Sequence, residues 1–178
     1  MPLIENLECG FYRVPLPTLL TDSMHGVMRD FELVTARVRD REGGEGVGYT
    51  FTVGRNGGAT YDILKREIAE IVAGRDADRI EHLWNRLWWD LHYGGRGGPT
   101  VLAISAFDMA LWDLKAKRAG LPLWNFLGGN DPSVPCYAGG IDLDLTPDAL
   151  LKQTDENLAR GFRAIKMKVG RRKLSEDV

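Results

Sequence analysis

The sequence predicts an α+β domain, three antiparallel strands followed by helices, and after it the opening βα units of a parallel sheet or barrel. Three observations carry that expectation. Apolar residues alternate up to Thr52, recur at helical spacing from Tyr61 to about Ala119, and from Pro135 follow a strand, helix, strand order.

The elements follow in chain order. In the strand from Leu3 to Val14, Leu3, Leu7, Cys9 and Phe11 share a face. Pro15 and Pro17 are expected to break it, leaving Leu16 to Arg29 as a loop. Phe31–Val38 and Val47–Thr52 read as a hairpin around Arg41-Glu42-Gly43-Gly44-Glu45-Gly46, because glycine supplies the positive φ that such a turn needs. Val53 to Thr60 reads as a second glycine-rich loop. Tyr61, Leu64, Ile68 and Ile71 mark a helix stopped by Gly74, and Ile80 to Leu91 a second one. Pro99 opens a third, with Val101, Ile104, Phe107, Leu111 and Leu114 on its core face.

Beyond Pro135 the pattern changes. Cys136–Ile141 is a short apolar strand. Thr146 with Pro147 behind it begins a helix that runs to about Arg160, and Gly161 ends it. Phe162–Val169 is a second strand, and Arg171 onward starts another helix-like stretch. Two βα units cannot close a barrel, which needs eight. The chain is therefore expected to be incomplete as a folding unit after residue 133.

Bulk properties limit the function. A formal net charge of −2 lacks the basic excess of a nucleic-acid binder. No apolar run is long enough to span a membrane, and the N-terminus lacks the order of a signal peptide, so a cytoplasmic protein is expected. Cys9 and Cys136 are too few for a disulfide framework or a cysteine metal site.

The strand Ile165-Lys166-Met167-Lys168-Val169 carries the chemistry. Ile165, Met167 and Val169 point one way, toward covering helices, and Lys166 and Lys168 the other. Two ammonium groups on one strand face stand roughly 6–7 Å apart along the strand. Held that close and partly desolvated, each disfavours the other's charge, which favours a neutral amine that can act as a general base. The alternative is an exposed strand with two solvated lysines. The βα setting argues against it, because parallel strands are covered on both faces.

Three blocks make the sequence recognisable: Ala106-Phe107-Asp108-Met109-Ala110-Leu111-Trp112-Asp113-Leu114-Lys115-Ala116-Lys117, then Gly120-Leu121-Pro122-Leu123 with Leu127-Gly128-Gly129, then Ala164-Ile165-Lys166-Met167-Lys168-Val169-Gly170. In these the chain resembles the enolase superfamily, and within it the mandelate racemase/muconate lactonizing enzyme-like subgroup that includes acid-sugar dehydratases. The resemblance implies an α+β capping domain over residues 1–133 and the start of a modified (β/α) TIM-type barrel over 134–178. It also implies abstraction of the proton α to a carboxylate with Mg²⁺ as cofactor. Lys168 would be the acid/base, and Lys166 would tune it and help hold the carboxylate. The metal ligands and an opposing His–Asp pair would lie on later barrel strands, so no Mg²⁺ site is expected from this chain alone. Asp108 and Asp113, on a capping helix, and Asp142 and Asp144, after the first barrel strand, do not take those places.

The segments 16–29 and 53–60 fall where the resemblance puts two specificity loops over the barrel mouth. Their His25, Arg29, Arg55 and Asn56 suit a hydroxylated anion, with His25 and Arg55 the best candidates for substrate contact and Tyr137 a candidate lining residue. The bland alternative is that loops are polar because they are wet. His82 and His92 read as structural, and Trp84, Trp88 and Trp89 as core or subunit contact. Gly94–Gly98 lacks the spacing of a phosphate loop. The expected activity is a lyase dehydrating a sugar acid, in a homo-oligomer that binds neither nucleic acid nor membrane. A racemase or epimerase shares the first step, and a cycloisomerase fits the polar loops less well. From a different class, the chain would be a non-catalytic binding or assembly fragment.

Overall fold

The computed structural model describes residues 1–177. The chain divides into two compact units, Met1–Val14 with Phe31–Pro132, and Pro15–Asp30 with Ser133 onward.

The first unit is the α+β layer. Strands β1 (Ile4–Asp22), β2 (Gly26–Asp40) and β3 (Glu45–Thr52) form one sheet in that order. Behind β3 come α1 (Gly57–Asp62), a π-helical segment (Ile63–Ile68), α2 (Ala69–Val72), α3 (Ile80–Asp90), α4 (Pro99–Arg118) and the short α5 (Leu123–Phe126). In the antiparallel β2–β3 register, Val34 faces Thr50, Ala36 faces Gly48 and Val38 faces Gly46. This face is buried and lies against α4. A Cβ at Gly46 would sit 2.0 Å from the Ala110 carbonyl oxygen, and one at Gly48 2.1 Å from that of Ala106. The two glycines let strand and helix backbones approach more closely than side chains permit. Asp113, one turn along α4, accepts the Val47 N–H at 2.7 Å. Phe107, Leu111 and Leu114 of α4 meet Leu64, Ile68, Leu83 and Leu87 in one hydrophobic core.

Strand β1 runs through Pro15 and Pro17, and the expected loop 16–29 is instead a continuous ribbon turning at Ser23–His25. The prolines are tolerated because β1 is an edge strand, where an N–H pointing away from the sheet can be dispensed with. The second expected loop is shorter than predicted: helix begins at Gly57 rather than near Tyr61. Buried Glu32 explains this. Its Oε2 accepts the Gly57 N–H at 2.9 Å and the Thr52 hydroxyl at 2.8 Å, which supplies the helix start with a carboxylate in place of a capping side chain.

In the second unit, β4 (Ala138–Gly139) and β5 (Ile165–Lys166) pair in parallel, with Ala138 opposite Ile165 and Gly139 opposite Lys166. Helix α6 (Pro147–Ala159) connects them. The Thr146 hydroxyl accepts the Ala149 N–H at 3.3 Å, and Gly161 takes φ +94°, so both predicted helix ends are present. The ribbon tip belongs to this unit. Thr21 N–H donates to the Ile141 carbonyl at 3.2 Å, Thr21 O accepts Leu143 N–H, and the Thr21 hydroxyl accepts Asp144 N–H at 3.1 Å.

Candidate active site

Lys166 lies on the face of the two-stranded sheet that Tyr137 shares. A Cβ placed on Gly139, between them, would sit 3.6 Å from the Tyr137 ring and 3.8 Å from Lys166 Cε. Gly139 thus opens room in front of Lys166 that any side chain would fill. Two strands do not enclose this face. Lys166 is exposed and Lys168 half-buried, and on the other side Met167 and Val169 remain 50% and 62% exposed. The sequence placed the apolar side under helices, but this side stays half-exposed or more at Met167 and Val169. The expected strand 162–169 likewise contracts to Ile165–Lys166, because its two-residue partner β4 offers no further ladder.

Beyond Lys166 a side chain takes over. The Gly140 N–H donates to the Lys166 carbonyl at 2.8 Å, and Asp142 Oδ1 accepts the Lys168 N–H at 2.9 Å. Asp142 Oδ2 in turn accepts from Gln153 Nε2 of α6 at 2.8 Å. Asp142 is buried. Sequence reasoning set it aside as a metal ligand and did not see this tether, because no local pattern reports a contact between residues 26 positions apart.

At the ribbon tip, His25 is held by Asp22. The His25 ring Nδ1 stands 2.8 Å from Asp22 Oδ2, while Asp22 Oδ1 accepts the backbone N–H groups of His25 at 2.6 Å and Met24 at 2.9 Å. The His25 backbone first, then its ring and the Met24 N–H, hold the Asp22 carboxyl down at about 2. Ser23 of the same turn lies within 3.0 Å of where a Gly170 Cβ would be, two residues past Lys168. The tip therefore reaches the end of the lysine strand. His25, Tyr137, Lys166 and Lys168 are brought into one unit, whereas Arg55, exposed at the bend before α1, belongs to the other.

Two of the cavities among the described residues open in this unit. One of about 420 Å³ lies between the ribbon and the first strand, with Thr18, Leu20, Val27, Gly140, Asp142 and Gln153 in its wall. The other, about 710 Å³, is lined by Ser23, Thr146, Gly170, Arg171, Arg172 and Lys173 among others. Lys166 and Lys168 are in the wall of neither, consistent with the uncovered lysine face. Among the described residues no three His, Cys, Asp or Glu side chains are grouped to hold a metal ion, so these residues do not fit a Mg²⁺ site of their own. No helix among them is long and apolar enough to cross a membrane.

Residues 13–128 match the family model described as mandelate racemase / muconate lactonizing enzyme, N-terminal domain. The chain is 54% identical over 176 residues to a 3,6-anhydro-α-L-galactonate cycloisomerase of Streptomyces coelicolor, covering 99% of this chain and 49% of that protein. It is 36% identical over 182 residues to an L-talarate/galactarate dehydratase of Salmonella typhimurium, covering 98% and 45% respectively. A solved racemase from Streptomyces coelicolor with bound magnesium superposes with a TM-score of 0.96 at 55% identity, over 98% of this chain and 49% of that one. The Salmonella dehydratase liganded with Mg and L-lyxarohydroxamate gives 0.89 at 36% identity, over 98% and 46%. The chain thus spans about half the length of the relatives it matches. The relative at 54% identity is a cycloisomerase, which removes the ground for disfavouring that reaction. An anhydro sugar acid is itself a hydroxylated anion, so loop polarity does not separate ring opening from dehydration.

Proposed function

Because the chain belongs to the mandelate racemase/muconate lactonizing enzyme family of the enolase superfamily, we propose that the whole protein catalyses β-elimination on a sugar-derived carboxylate, with Lys168 as the base. The observation that carries this is Lys168 two residues past the C-terminal end of parallel strand β5, fixed through its backbone N–H, and two residues beyond a lysine that faces an open glycine. Lys168 Nζ takes the proton from the carbon next to the carboxylate. The electron pair left behind forms a carbon–carbon double bond as the C–O bond at the β carbon breaks. The departing oxygen takes up a proton, and the resulting enol becomes a 2-keto acid. Lys166, whose cationic side chain shares the Gly139 face with Tyr137, binds the substrate carboxylate, and His25 on its Asp22 support contacts the hydroxyls.

The same elimination covers both relatives' reactions. Where the β oxygen is a hydroxyl, it leaves as water and the enzyme is a dehydratase. Where it is the ether oxygen of a 3,6-anhydro ring, it stays attached through the far carbon and the product is an isomer. The higher identity to the cycloisomerase favours the ring ether as the preferred leaving group. Solved relatives hold magnesium, which supports a Mg²⁺ requirement for the whole protein, with ligands outside residues 1–177.

The test offers the whole protein, with Mg²⁺, a 3,6-anhydrogalactonate and galactarate in parallel. The expected result is a 2-keto acid of the same mass as the anhydro substrate, formed at higher kcat/KM than any product lighter by one water from galactarate. Formation of no keto acid from either, or of an epimer alone, overturns elimination.

A further inference from the structure

Resting on the assignment of Lys168 as the base, we propose that Asp142, locked by Gln153, is the positioning residue that aims Lys168. It does so by substituting a side-chain acceptor for a missing rung of the β4–β5 ladder. In a parallel pair the rungs are evenly spaced, so once Gly140 N–H has met the Lys166 carbonyl, the next acceptor due to Lys168 N–H is the Gly140 carbonyl. The chain has by then left the strand, and Lys168 N–H instead reaches Asp142 Oδ1 at 2.9 Å. The strand is thereby held one residue pair beyond its last backbone rung, at the position from which the base must project.

Three features mark this as a built arrangement. Asp142 is 8% exposed, and each carboxylate oxygen has one defined donor, Lys168 N–H on one and Gln153 Nε2 on the other. Charge-assisted bonds to a buried carboxylate are the stronger kind. Gly140 makes the room: a Cβ there would stand 1.8 Å from Asp142 Oδ2 and 3.1 Å from Oδ1, so any side chain at 140 expels the carboxylate. The ribbon tip clamps the same turn, with Thr21 bonded to Ile141 and Leu143 on either side of Asp142. Gln153 sits on α6, so the helix of the βα unit, the turn and the catalytic strand end are joined by a single carboxylate. Asp142 touches Lys168 through its backbone, so its effect on the chemistry runs through where that lysine points.

The experiment compares Asp142→Ala, Asp142→Asn and Gly140→Ala in the whole protein, each scored as kcat and KM per folded molecule. Asparagine keeps Oδ1 as an acceptor for Lys168 N–H, and its Nδ2 can donate to Gln153 Oε1 once the Gln153 amide turns over, whereas alanine offers neither. The expected result is a fall in kcat of about 100-fold for Asp142→Ala and for Gly140→Ala, the scale of a misplaced reacting group. KM should change less than about threefold, and Asp142→Asn should recover most of the lost kcat. Alongside, hydrogen exchange of the Lys168 amide should lose protection in the two alanine variants and keep it in Asp142→Asn. Unchanged kcat per folded Asp142→Ala molecule, or a Lys168 amide equally protected in it, overturns the proposal. If the wild-type protein forms no keto acid, elimination falls, while the amide measurement still decides whether Asp142 holds Lys168.

Discussion

Glu32 shows how one side chain ties local structure to stability. Its carboxylate is buried, accepts the Thr52 hydroxyl and the Gly57 N–H, and meets the Arg13 guanidinium at 3.2 Å. Those donors favour the ionised form, the Thr52 hydroxyl first, so its pKa in the fold is lowered from the ordinary 4.5. The unfolded chain then takes up this proton at higher pH than the folded one, so the stabilisation is complete above the ordinary value and is lost as pH falls below it and through the lowered folded pKa. Glu32→Gln is expected to cost about 1–3 kcal/mol near neutrality. Urea midpoints should show the gap between wild type and variant narrowing below the ordinary glutamate range, and a gap constant on acidification would contradict the assignment. The sequence names Glu32 as a polar residue in a strand and nothing more, because its partners lie 20 and 25 positions away. The Lys166–Lys168 pattern could be read as a candidate for the opposite reason, although the strand itself ends at Lys166. Its alternation is local, and the five-residue pattern contains its own geometry. His25 was singled out for its loop, yet its support from Asp22, three residues back, became visible once the turn had a shape.

Among the elements, α4 and β3 are in extensive contact, and that contact depends on missing side chains. The periodicity of α4 and its Pro99 start were readable from sequence, as was the β2–β3 hairpin. The glycines at 46 and 48 read simply as turn and strand glycines. What they do depends on the register Ala36 to Gly48 and Val38 to Gly46, which brings both under α4. Gly48→Ala places a methyl against the Ala106 carbonyl and the Ala110 N–H, backbone atoms with no rotamer to adjust. The expected loss is about 1–3 kcal/mol or more, read from urea denaturation. Gly58→Ala, where the structure leaves open space, serves as the control with little change. Equal stability of the two variants would contradict the close strand–helix approach. The prolines of β1 mislead in a related way. A breaker rule applies to a strand with partners on both sides, and sequence does not say which strand is at the edge.

At the scale of the whole molecule, the two units differ in how much they bury. The core is made entirely of residues from the first unit, while α6 has no buried residue and Leu151 and Leu158 on it are 64% and 52% exposed. Local stability follows buried apolar contact. Hydrogen exchange on the 178-residue chain should therefore find α4 and the paired β2–β3 residues of the first unit well protected, and α6 exchanging orders of magnitude faster. Equal protection of α4 and α6 would contradict this division. The change of grammar at Pro135 made the second unit readable as βα, but not the capture of the ribbon tip by it, because Pro15–Asp30 is remote in sequence from everything it joins. The central claim is that Lys168 moves the α-proton of a sugar-derived carboxylate. The most direct measurement is ¹H NMR of that proton in D₂O with the whole protein and its Lys168→Ala variant, with folding checked by circular dichroism. The expected result is exchange or elimination of the α-proton by the wild type and loss of both by at least about 100-fold in the variant. Undiminished exchange in a folded Lys168→Ala protein would contradict it.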